Sequence, residues 1–569
     1  MQFLLKGSLA LASIFLFTAG SYANQKEHLQ GTITINYEDH IGQKGFSAEH
    51  HGNLTYQLTD QKGQSYEVLL DKQPQWLQTG QTVRLQAQRH NQKLTTSSND
   101  LSLLQGGTES TSNVQALQSQ EVISGNHKVL VTEVNFAINP IVRFSSSQLS
   151  DMLFNQAHQF FLENSYGAFG LVGDALEPVT VDVDTSVCNT SIIADQADSI
   201  LRQRGYEPNN YDHVMYVMPT HPKCTWSGKG NVNGPRSWIK RFELSTVNHE
   251  LGHNLGLYHS NKKECGSVTT NSEHCSIVEY GDYNSAMSST TSSKHFNGFH
   301  KEQLGWLPQQ MIKITDNQTI TLSPLETQDN NLKIAKILKG TNSQGQLEYY
   351  YIEYRQAIGF DASLASEFPQ FLTGVRLREA IADSANSSNL LDPTPNSNSY
   401  DWDDISLDPG AIYQDAEYGV TITILSSDAN SLSLNVAYDQ SGGSQPDPQP
   451  EPEPTTNTAP VANNDLVIIS NKNATNIDVL INDYDAEFDS ITISEVSQGS
   501  KGSVQINHDG SLTYTPSKRF KTTDSFTYII SDGTLTNSAT VTINLHSSSD
   551  GETDEGGSTG GKGGAKGRK

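Results

Sequence analysis

The chain has 569 residues, with 37 Lys and Arg against 63 Asp and Glu, so its formal net charge is −26. Such a polyanion has little attraction for nucleic acid or an anionic membrane surface, and we exclude both as main partners. A hydrophobic content of 35% and a length beyond one core predict a solvent-facing protein of several domains.

The N-terminus has the features of a secretory signal peptide over residues 1–23. Lys6 supplies a positive charge, Leu9 to Phe17 is apolar, and Ser21-Tyr22-Ala23 is a small-x-small cleavage site. The apolar run is too short to span a bilayer, which disfavours a membrane anchor. No later segment is apolar enough to span, so we expect a secreted mature chain that begins at Asn24.

Residues 24–125 contain short alternating apolar runs between polar clusters, which predicts a β-rich domain. Two interpretations stay open for this domain: a pro-region that covers the active site, or an accessory domain. It contains no cysteine, so latency through a thiolate on a metal is not available to it.

Residues 126–310 alternate predicted strands with predicted helices. This order is typical of an α/β (α+β) domain with a mixed, mostly parallel sheet. Ser147 is the predicted N-cap of the first helix, and Gly205 is predicted to end the second. The predicted strands are Val129–Phe136, Val179–Asp184 and Val214–Met218, and the predicted helices contain Leu149–Phe161 and Ile193–Leu201.

The rest of the chain is predicted to be strand-rich. We expect a β-rich accessory domain over 311–440, a Pro- and acid-rich linker over 441–458, and a β-sandwich over 459–546. The Gly-rich residues 547–569 are expected to be a disordered tail. The flanking domains are therefore all-β.

The chain has four cysteines, an even number that predicts two disulfides in an exported protein. Three connectivities are possible. A pair of Cys265 with Cys275 would close a short local loop and leave Cys188 with Cys224, which is the pairing we favour. A thiolate zinc site is the alternative, but no C-x-x-C pair is present.

The segment HELGHNLGLYH, residues 249–259, carries the strongest chemical signal. His249 and His253 are four residues apart, so they lie one turn apart on one helical face and can bind one metal ion. Gly256 lets the backbone leave the helix, which returns His259 as a third ligand. Three imidazoles leave one tetrahedral position open, the hallmark of a catalytic Zn²⁺. Glu250 beside them is placed to accept a proton from the attacking water.

A methionine follows, Met287 in the segment EYGDYNSAM, and completes the pattern H-E-x-x-H-x-x-G-x-x-H…Met of the metzincins. These two segments resemble the gametolysin-like branch of the metzincin metallopeptidases. The segments SYG (165–167), CTWSG (224–228) and HKEQLGW (300–306) are similar too. Serines stand at Ser288 and Ser289, so a tyrosine ligand two residues after the methionine is not expected.

The resemblance implies a cleft between two subdomains and hydrolysis of extracellular proteins or cell-surface glycoproteins. It also implies an edge strand within Asn233–Ile239 that pairs with extended substrate, and a specificity pocket walled by residues 280–287. Asp282 is either part of that wall or purely structural.

Residues 459–546 resemble bacterial Ig-like and cadherin-like domains. Asp483, Asp485 and Asp489 are candidate Ca²⁺ ligands, with turn capping as the alternative. Such a module would bind a surface or matrix ligand. The predicted function is a secreted zinc endopeptidase, and the alternative is a surface adhesin or matrix-binding protein with a vestigial peptidase domain.

Overall fold

A computed structural model describes most of the chain between residues 26 and 545. The predicted signal peptide, the tail and the linker up to residue 456 lie outside the described residues. The described ranges are 26–41, 52–74, 76–105, 108–110, 122–270, 275–342, 344–382, 384–395, 402, 404–439, 457–469, 471–477, 479–483, 485, 491–507 and 510–545.

In the first five strands of the N-terminal domain apolar residues alternate with polar ones, so one face of each of these strands is buried. The long first strand pairs with both the second and the fourth, and the sheet therefore curls around its core. The strands are β1 (Glu27–Asp39), β2 (Asn53–Asp60), β3 (Ser65–Leu70), β4 (Thr82–His90), β5 (Lys93–Thr96), β6 (Leu101–Gln105) and β7 (Thr108–Ser110).

The next region builds five strands and four α-helices. Its first strands alternate with helices, as predicted, whereas its last three strands follow one another without a helix between them. The strands are β8 (Gly125–Phe136), β9 (Phe169–Val181), β10 (His213–Val217), β11 (Gly228–Asn231) and β12 (Arg236–Ile239). The helices are α1 (Ser146–Asp151), α2 (His158–Asn164), α3 (Thr190–Gln203) and α4 (Leu244–Asn254), with a π-helical turn over Met152–Ala157 between α1 and α2.

Two local predictions in this region need correction. The N-cap of α1 is Ser145 rather than Ser147, because the Ser145 hydroxyl and the Gln148 side chain form a reciprocal capping box. Strand β9 runs from Phe169 to Val181, so it begins ten residues before the predicted range Val179–Asp184 and ends three residues before its limit. Gly205 does follow α3 with a left-handed φ of 90°, which fits its predicted role as the stop of that helix.

One sheet of twelve strands joins these two regions. Strands β9, β8, β10 and β12 run parallel, while β11 is antiparallel to β12. Strand β1 then adds to the free side of β11 in antiparallel orientation, with Asp39 opposite Gly228. Hence β11 is the edge that residues 125–254 present, and the N-terminal domain covers it.

The predicted location of the edge strand was wrong. Strand β12, within the predicted range Asn233–Ile239, is hydrogen-bonded to β10 on one side and to β11 on the other. It is therefore an interior strand that has no free edge for a substrate. The free edge belongs one strand earlier, because the chain makes a short antiparallel turn at residues 232–235.

Helix α4 lies across this sheet. Val247 and Leu251 pack on the helices α1–α2 and on Met287 in one apolar core, so the polar positions of α4 face the opposite way, toward β11 and β1. The packing of this apolar face fixes the rotation of the helix. The rotation in turn places the histidines.

The following region has two further sheets, and its strands come from both sides of residue 310. The elements are β13 (Asn261–Glu264), β14 (Ser276–Val278), α5 (Gly298–Gln303), β15 (Met311–Ile314), β16 (Gln318–Leu322), β17 (Ile334–Thr341), β18 (Leu347–Tyr354), α6 (Leu364–Glu367), β19 (Val375–Ile381), β20 (Asn389–Leu391), β21 (Ser406–Leu407), β22 (Ile412–Asp415), β23 (Val420–Asp428) and β24 (Ser431–Tyr438). One sheet has the order β14-β13-β20-β19-β18-β17-β15 with β21 paired to β19, and the other has the order β16-β24-β23-β22.

The C-terminal domain has two small sheets around a separate apolar core, as a β-sandwich requires. Its strands are β25 (Asp465–Ile469), β26 (Thr475–Ile477), β27 (Thr492–Val496), β28 (Gly502–Ile506), β29 (Leu512–Pro516), β30 (Thr523–Ser531) and β31 (Thr536–Leu545). Short 3₁₀ turns occur at Ser98–Asp100, Pro208–Asn210, Gly359–Asp361, Pro369–Leu372 and Val479–Asn482.

Both disulfides are formed in the favoured pairing, Cys188–Cys224 and Cys265–Cys275. Among the described residues, no helix is long and apolar enough to cross a membrane.

Candidate metal centre

The three histidines of HELGHNLGLYH lie together in the interior. Helix α4 carries His249 and His253 one turn apart, with both side chains fully buried. The helix ends at Asn254, and Gly256 takes a φ of 96°, in the left-handed region that favours glycine. This turn brings the buried ring of His259 to 5.3 Å from that of His249 and 5.0 Å from that of His253, measured between centroids.

Each imidazole is oriented through its Nδ1 atom. Nδ1 of His249 lies 2.9 Å from the carbonyl oxygen of Ala286, and Nδ1 of His253 lies 2.8 Å from that of Leu257. A carbonyl only accepts hydrogen bonds, so these Nδ1 atoms carry the hydrogen and Nε2 keeps its lone pair. Nδ1 of His259 lies 2.6 Å from Oε1 of Glu279 instead.

The arrangement fits a metal ion. Ligand atoms of the three histidines and of Asp39 all lie within 4.8 Å of one another. Nε2 of His249 and Nε2 of His253 are buried and have no hydrogen-bond partner among the described residues. Lone pairs that converge in a dry site without partners are costly unless a cation fills the space between them. These residues therefore suit a bound divalent ion.

The fourth member of the group, Asp39, comes from the end of β1 and was missed by the sequence analysis. Its Oδ1 lies 2.8 Å from Nε2 of His259 and 3.6 Å from Nε2 of His249, and its Oδ2 lies 3.3 Å from Nε2 of His253. Asp39 is fully buried. No local motif surrounds this aspartate, so no sequence signal could have singled it out.

Two aromatic rings enclose the histidines. The ring of Tyr37, two residues before Asp39 on the same face of β1, stacks on His253 at 4.8 Å between centroids. The ring of Tyr280 lies 3.8 Å from that of His259, and its hydroxyl donates a hydrogen bond to Oδ1 of Asp39. Glu279 and Tyr280 belong to the segment EYGDYNSAM, but their contacts with the site were not predicted.

Glu250 is fully buried and lies against the glycines of β11. A Cβ atom on Gly228 would come within 2.0 Å of Oε1 of Glu250, and one on Gly230 within 3.0 Å of Oε2. Neither oxygen receives a hydrogen bond from a described donor. The glycines thus leave room for a carboxylate that is free to exchange a proton.

The protonation of the site follows from burial and from its carboxylates. Burial lowers the pKa of His253 to about 4, although Asp39 acts against it. Burial acts the same way on His259, but Asp39 and Glu279 outweigh it and raise the pKa of His259 to about 9. Burial and the charge of Asp39 raise the pKa of Glu250. Burial would also raise the pKa of Asp39, yet the three imidazoles outweigh burial and lower it.

Met287 lies beneath the histidine helix. A Cβ atom on Gly252 would come within 2.4 Å of its Sδ atom, so the absence of a side chain at residue 252 lets the methionine approach the helix backbone. Asp282 points elsewhere: it is buried, accepts a hydrogen bond of 2.7 Å from Ser260, and forms an ion pair with Arg378. Of the two interpretations of Asp282, these contacts favour the structural one.

Other candidate ligands do not gather in the same way. Cys188, His221 and Cys224 lie close together, but both cysteines are in the disulfide and cannot bind a metal as thiolates. Asp483 accepts hydrogen bonds from the Asn463 backbone at 2.6 Å and from a tyrosine hydroxyl, as a capping residue does. Asp485 is buried nearby, and Asp489 lies outside the described residues, so calcium stays a prediction.

Two segments of the chain match known families. Residues 149–389 match the model of gametolysin peptidase M11, and residues 457–547 match that of the bacterial cadherin-like domain. The first match supports a peptidase of the metallo type. No curated protein matches the chain.

Among solved structures, the chain is similar to two endo-fucoidan hydrolases of glycoside hydrolase family 107. MfFcnA9 is 12% identical, with 45% of this chain and 40% of that one covered and a TM-score of 0.15. MfFcnA4 is 13% identical, with 46% and 49% covered and a TM-score of 0.15. The chain thus spans less than half of either protein, and scores this low carry no argument. The two family models confirm the predicted resemblance: residues 149–389 match gametolysin peptidase M11, and residues 457–547 match the bacterial cadherin-like domain.

Proposed function

We propose that the chain is a secreted, zinc-dependent endopeptidase that hydrolyses peptide bonds of extracellular or cell-surface proteins and glycoproteins. The observation that carries the proposal is the convergence of three buried imidazoles. Beside them lies Glu250, a buried carboxylate that accepts no hydrogen bond from a described residue. The match to a peptidase family over the same residues supports it. An adhesin with a vestigial peptidase would have no reason to keep this costly buried group intact.

His249, His253 and His259 are the residues that would hold the ion. Three imidazole nitrogens, with a fourth position that Asp39 approaches in this structure, form a donor set that suits zinc. A bound zinc ion would act as a Lewis acid that polarises the scissile carbonyl and makes a nearby water more acidic. The hydrogen bonds at the three Nδ1 atoms keep the rings in place and set their tautomer.

Glu250 would do the proton chemistry. Its carboxylate lies beside the histidines and packs against the glycines of β11, where an extended substrate backbone would lie. It can take a proton from the attacking water and return it to the leaving amine. Since no nucleophilic side chain is needed, the reaction would proceed without an acyl-enzyme.

The edge of β11 that pairs with β1 in this structure is the natural place for the substrate strand. Backbone pairing along a sheet edge holds a peptide in extended form and contributes affinity without sequence preference. This edge runs past Glu250 through Gly228 and Gly230. We therefore place the substrate against β11, one strand before the predicted one. The cadherin-like domain would attach the enzyme to a surface or matrix ligand.

The test combines metal analysis with an active-site variant. We expect one zinc per chain by mass spectrometry, and cleavage of a general protein substrate that a chelator abolishes. We assay cleavage with the intact chain and with chain that has been treated briefly with trypsin. The trypsin is inhibited before the assay. Glu250→Gln should keep its zinc and lose nearly all turnover under both treatments. Undiminished chelator-sensitive cleavage by this variant, or a chain without zinc, would refute the proposal.

A further inference from the structure

Strand β1 of the N-terminal domain occupies the edge where the substrate is placed. The pairing extends from Asn36 opposite Asn231 to Asp39 opposite Gly228. Side chains reinforce it: Asn231 donates a hydrogen bond of 2.6 Å to Asn36, and Lys229 one of 3.0 Å to Glu38. One strand edge accepts one partner, so no substrate strand can pair with β11 while β1 is there.

Side-chain packing and hydrogen bonds also join the N-terminal domain to the region that follows it, in addition to the pairing of β1 with β11. The apolar core of the N-terminal domain includes Val232 and Tyr258 from the catalytic region. The hydroxyl of Tyr258 also accepts a hydrogen bond of 2.8 Å from Gln73. Beyond the end of β1, the Ser227 hydroxyl donates to the carbonyl oxygen of Ile41 at 3.0 Å. The domain is thus held by its core and by contacts beyond the end of β1, as well as by the strand pairing.

The register of β1 directs one carboxylate to the histidines. Tyr37 and Asp39 lie opposite Gly230 and Gly228, the two positions where β11 has no side chain to block them. The three contacts from Asp39 to the imidazole Nε2 atoms span 2.8 to 3.6 Å. Two ligands each 2.0–2.1 Å from one tetrahedral zinc ion would be roughly 3.3 Å apart. The distances from Asp39 to the three imidazoles are therefore close to those between two ligands of one ion.

The charge of Asp39 also requires a cation. The side chain is fully buried, and its Oδ2 has no hydrogen-bond donor among the described residues. A buried carboxylate is strongly destabilising unless it is paired or ligates a metal. A protonated His259 could pair with Oδ1, but only an ion at the centre would satisfy Asp39 and the unpartnered Nε2 atoms of His249 and His253 together.

We infer that the N-terminal domain, strands β1–β7, is an inhibitory domain of the peptidase, and that Asp39 is the ligand through which it blocks the metal. The inference rests on the proposed zinc peptidase. While β1 is in place, the fourth position holds a carboxylate rather than water, and the substrate edge is closed. Activity then requires that this domain be removed or displaced. The inference favours a pro-region over an accessory domain as the interpretation of residues 24–125.

The test compares Asp39→Asn with a matched control in the full chain. The control is Glu67→Gln, the same change of carboxylate to amide in the same domain, at a surface ion pair with Lys93 worth little to stability. Both are made in a Glu250→Gln background, so that self-cleavage cannot remove the domain. The readouts are the visible spectrum of the cobalt-substituted chain and the affinity of acetohydroxamate, a small chelator that needs an open metal position.

We expect Asp39→Asn to keep one metal per chain, to change the cobalt spectrum, and to bind acetohydroxamate at least about tenfold more tightly than the background chain. Glu67→Gln should match the background in all three. Equal spectra and affinities in all chains would overturn the inference and leave the zinc peptidase standing. Absence of bound metal from every chain would instead refute the proposed function.

A misfolded Asp39→Asn chain would be recognised by circular dichroism. The decision then passes to the Glu250→Gln chain itself, before and after limited proteolysis that removes β1–β7. Acetohydroxamate affinity should rise by a similar factor on removal of the domain. An affinity that removal leaves unchanged would overturn the inference.

Discussion

Glu279 gives the sharpest test of how the metal centre is held. It is the side-chain partner of a ligand Nδ1, at 2.6 Å from His259, whereas His249 and His253 face main-chain carbonyls. Glu279→Gln keeps an acceptor oxygen but removes the charge. Hydrogen bonds to charged groups contribute about 1.5–3 kcal/mol and those between neutral groups about 0.5–1.5 kcal/mol. The difference is about 1–1.5 kcal/mol.

We expect the loss of zinc affinity in Glu279→Gln to be near the lower end of the range for residues that hydrogen-bond a metal ligand. The Glu279 side chain is 32% exposed, so water screens part of its charge. We expect the zinc dissociation constant to rise about tenfold in Glu279→Gln, and by up to about a hundredfold in Glu279→Ala, where the acceptor is lost as well.

The assay is competition for zinc with a chromophoric chelator. Glu243→Gln is the control, because Glu243 precedes the same helix but pairs with Arg241 at the surface. Its dissociation constant should equal that of the unmodified chain. If both Glu279 variants also bind zinc like the unmodified chain, then the ring of His259 is held by its surroundings and the reasoning about Glu279 is wrong.

Two further predictions concern stability. Replacing both cysteines of Cys188–Cys224 by serine should cost about 1 kcal/mol more than the same change at Cys265–Cys275, because the loops span 36 and 10 residues; equal shifts in urea midpoint would contradict this. Burial raises the pKa of Asp483 to about 7, so the folded chain favours the protonated carboxyl. The contribution of Asp483 to the free energy of unfolding is therefore full below about pH 4. As pH rises through about 7, up to about 4 kcal/mol of it is lost. In calorimetry of the full chain, Asp483→Asn should remove that part of the pH dependence. Calcium added at pH 8 should restore the lost stability only if Asp483 ligates the ion.

The sequence was most informative where function and local structure depend on the same short segment. Helical spacing placed His249 and His253 on one face, and the glycine after the helix predicted the turn that returns His259. The pairing of the four cysteines followed from loop length, and it is the pairing found. In each case the residues that decide the outcome are close in sequence, so local rules suffice.

The sequence was least informative where distant segments meet. Asp39 and His259 are separated by 220 residues and contact at 2.8 Å, and nothing near either residue indicates the other. The edge strand was placed at β12 rather than β11 because a strand's position within a sheet depends on its neighbours and not on its own residues. Glu279 and Tyr280 lay inside a segment that was singled out for its methionine, and their contacts depend on the turn that follows β14.

Strand β1 and the proposed substrate would use the same edge of β11, which determines how the peptidase would become active. If Asp39 were the sole inhibitory contact, loss of its bond to the metal would be enough to open the site. Here strand β1, which ends in Asp39, also pairs with the edge of β11 where the substrate is proposed to bind. Loss of the carboxylate alone, as in Asp39→Asn, would open the metal to a small chelator but leave β11 covered. A protein substrate would therefore still be excluded, and full activity should require loss of the whole strand. The two steps can be measured separately. A small chelator should bind once the Asp39 carboxylate is lost, and protein substrates should be cleaved only once strand β1 is removed.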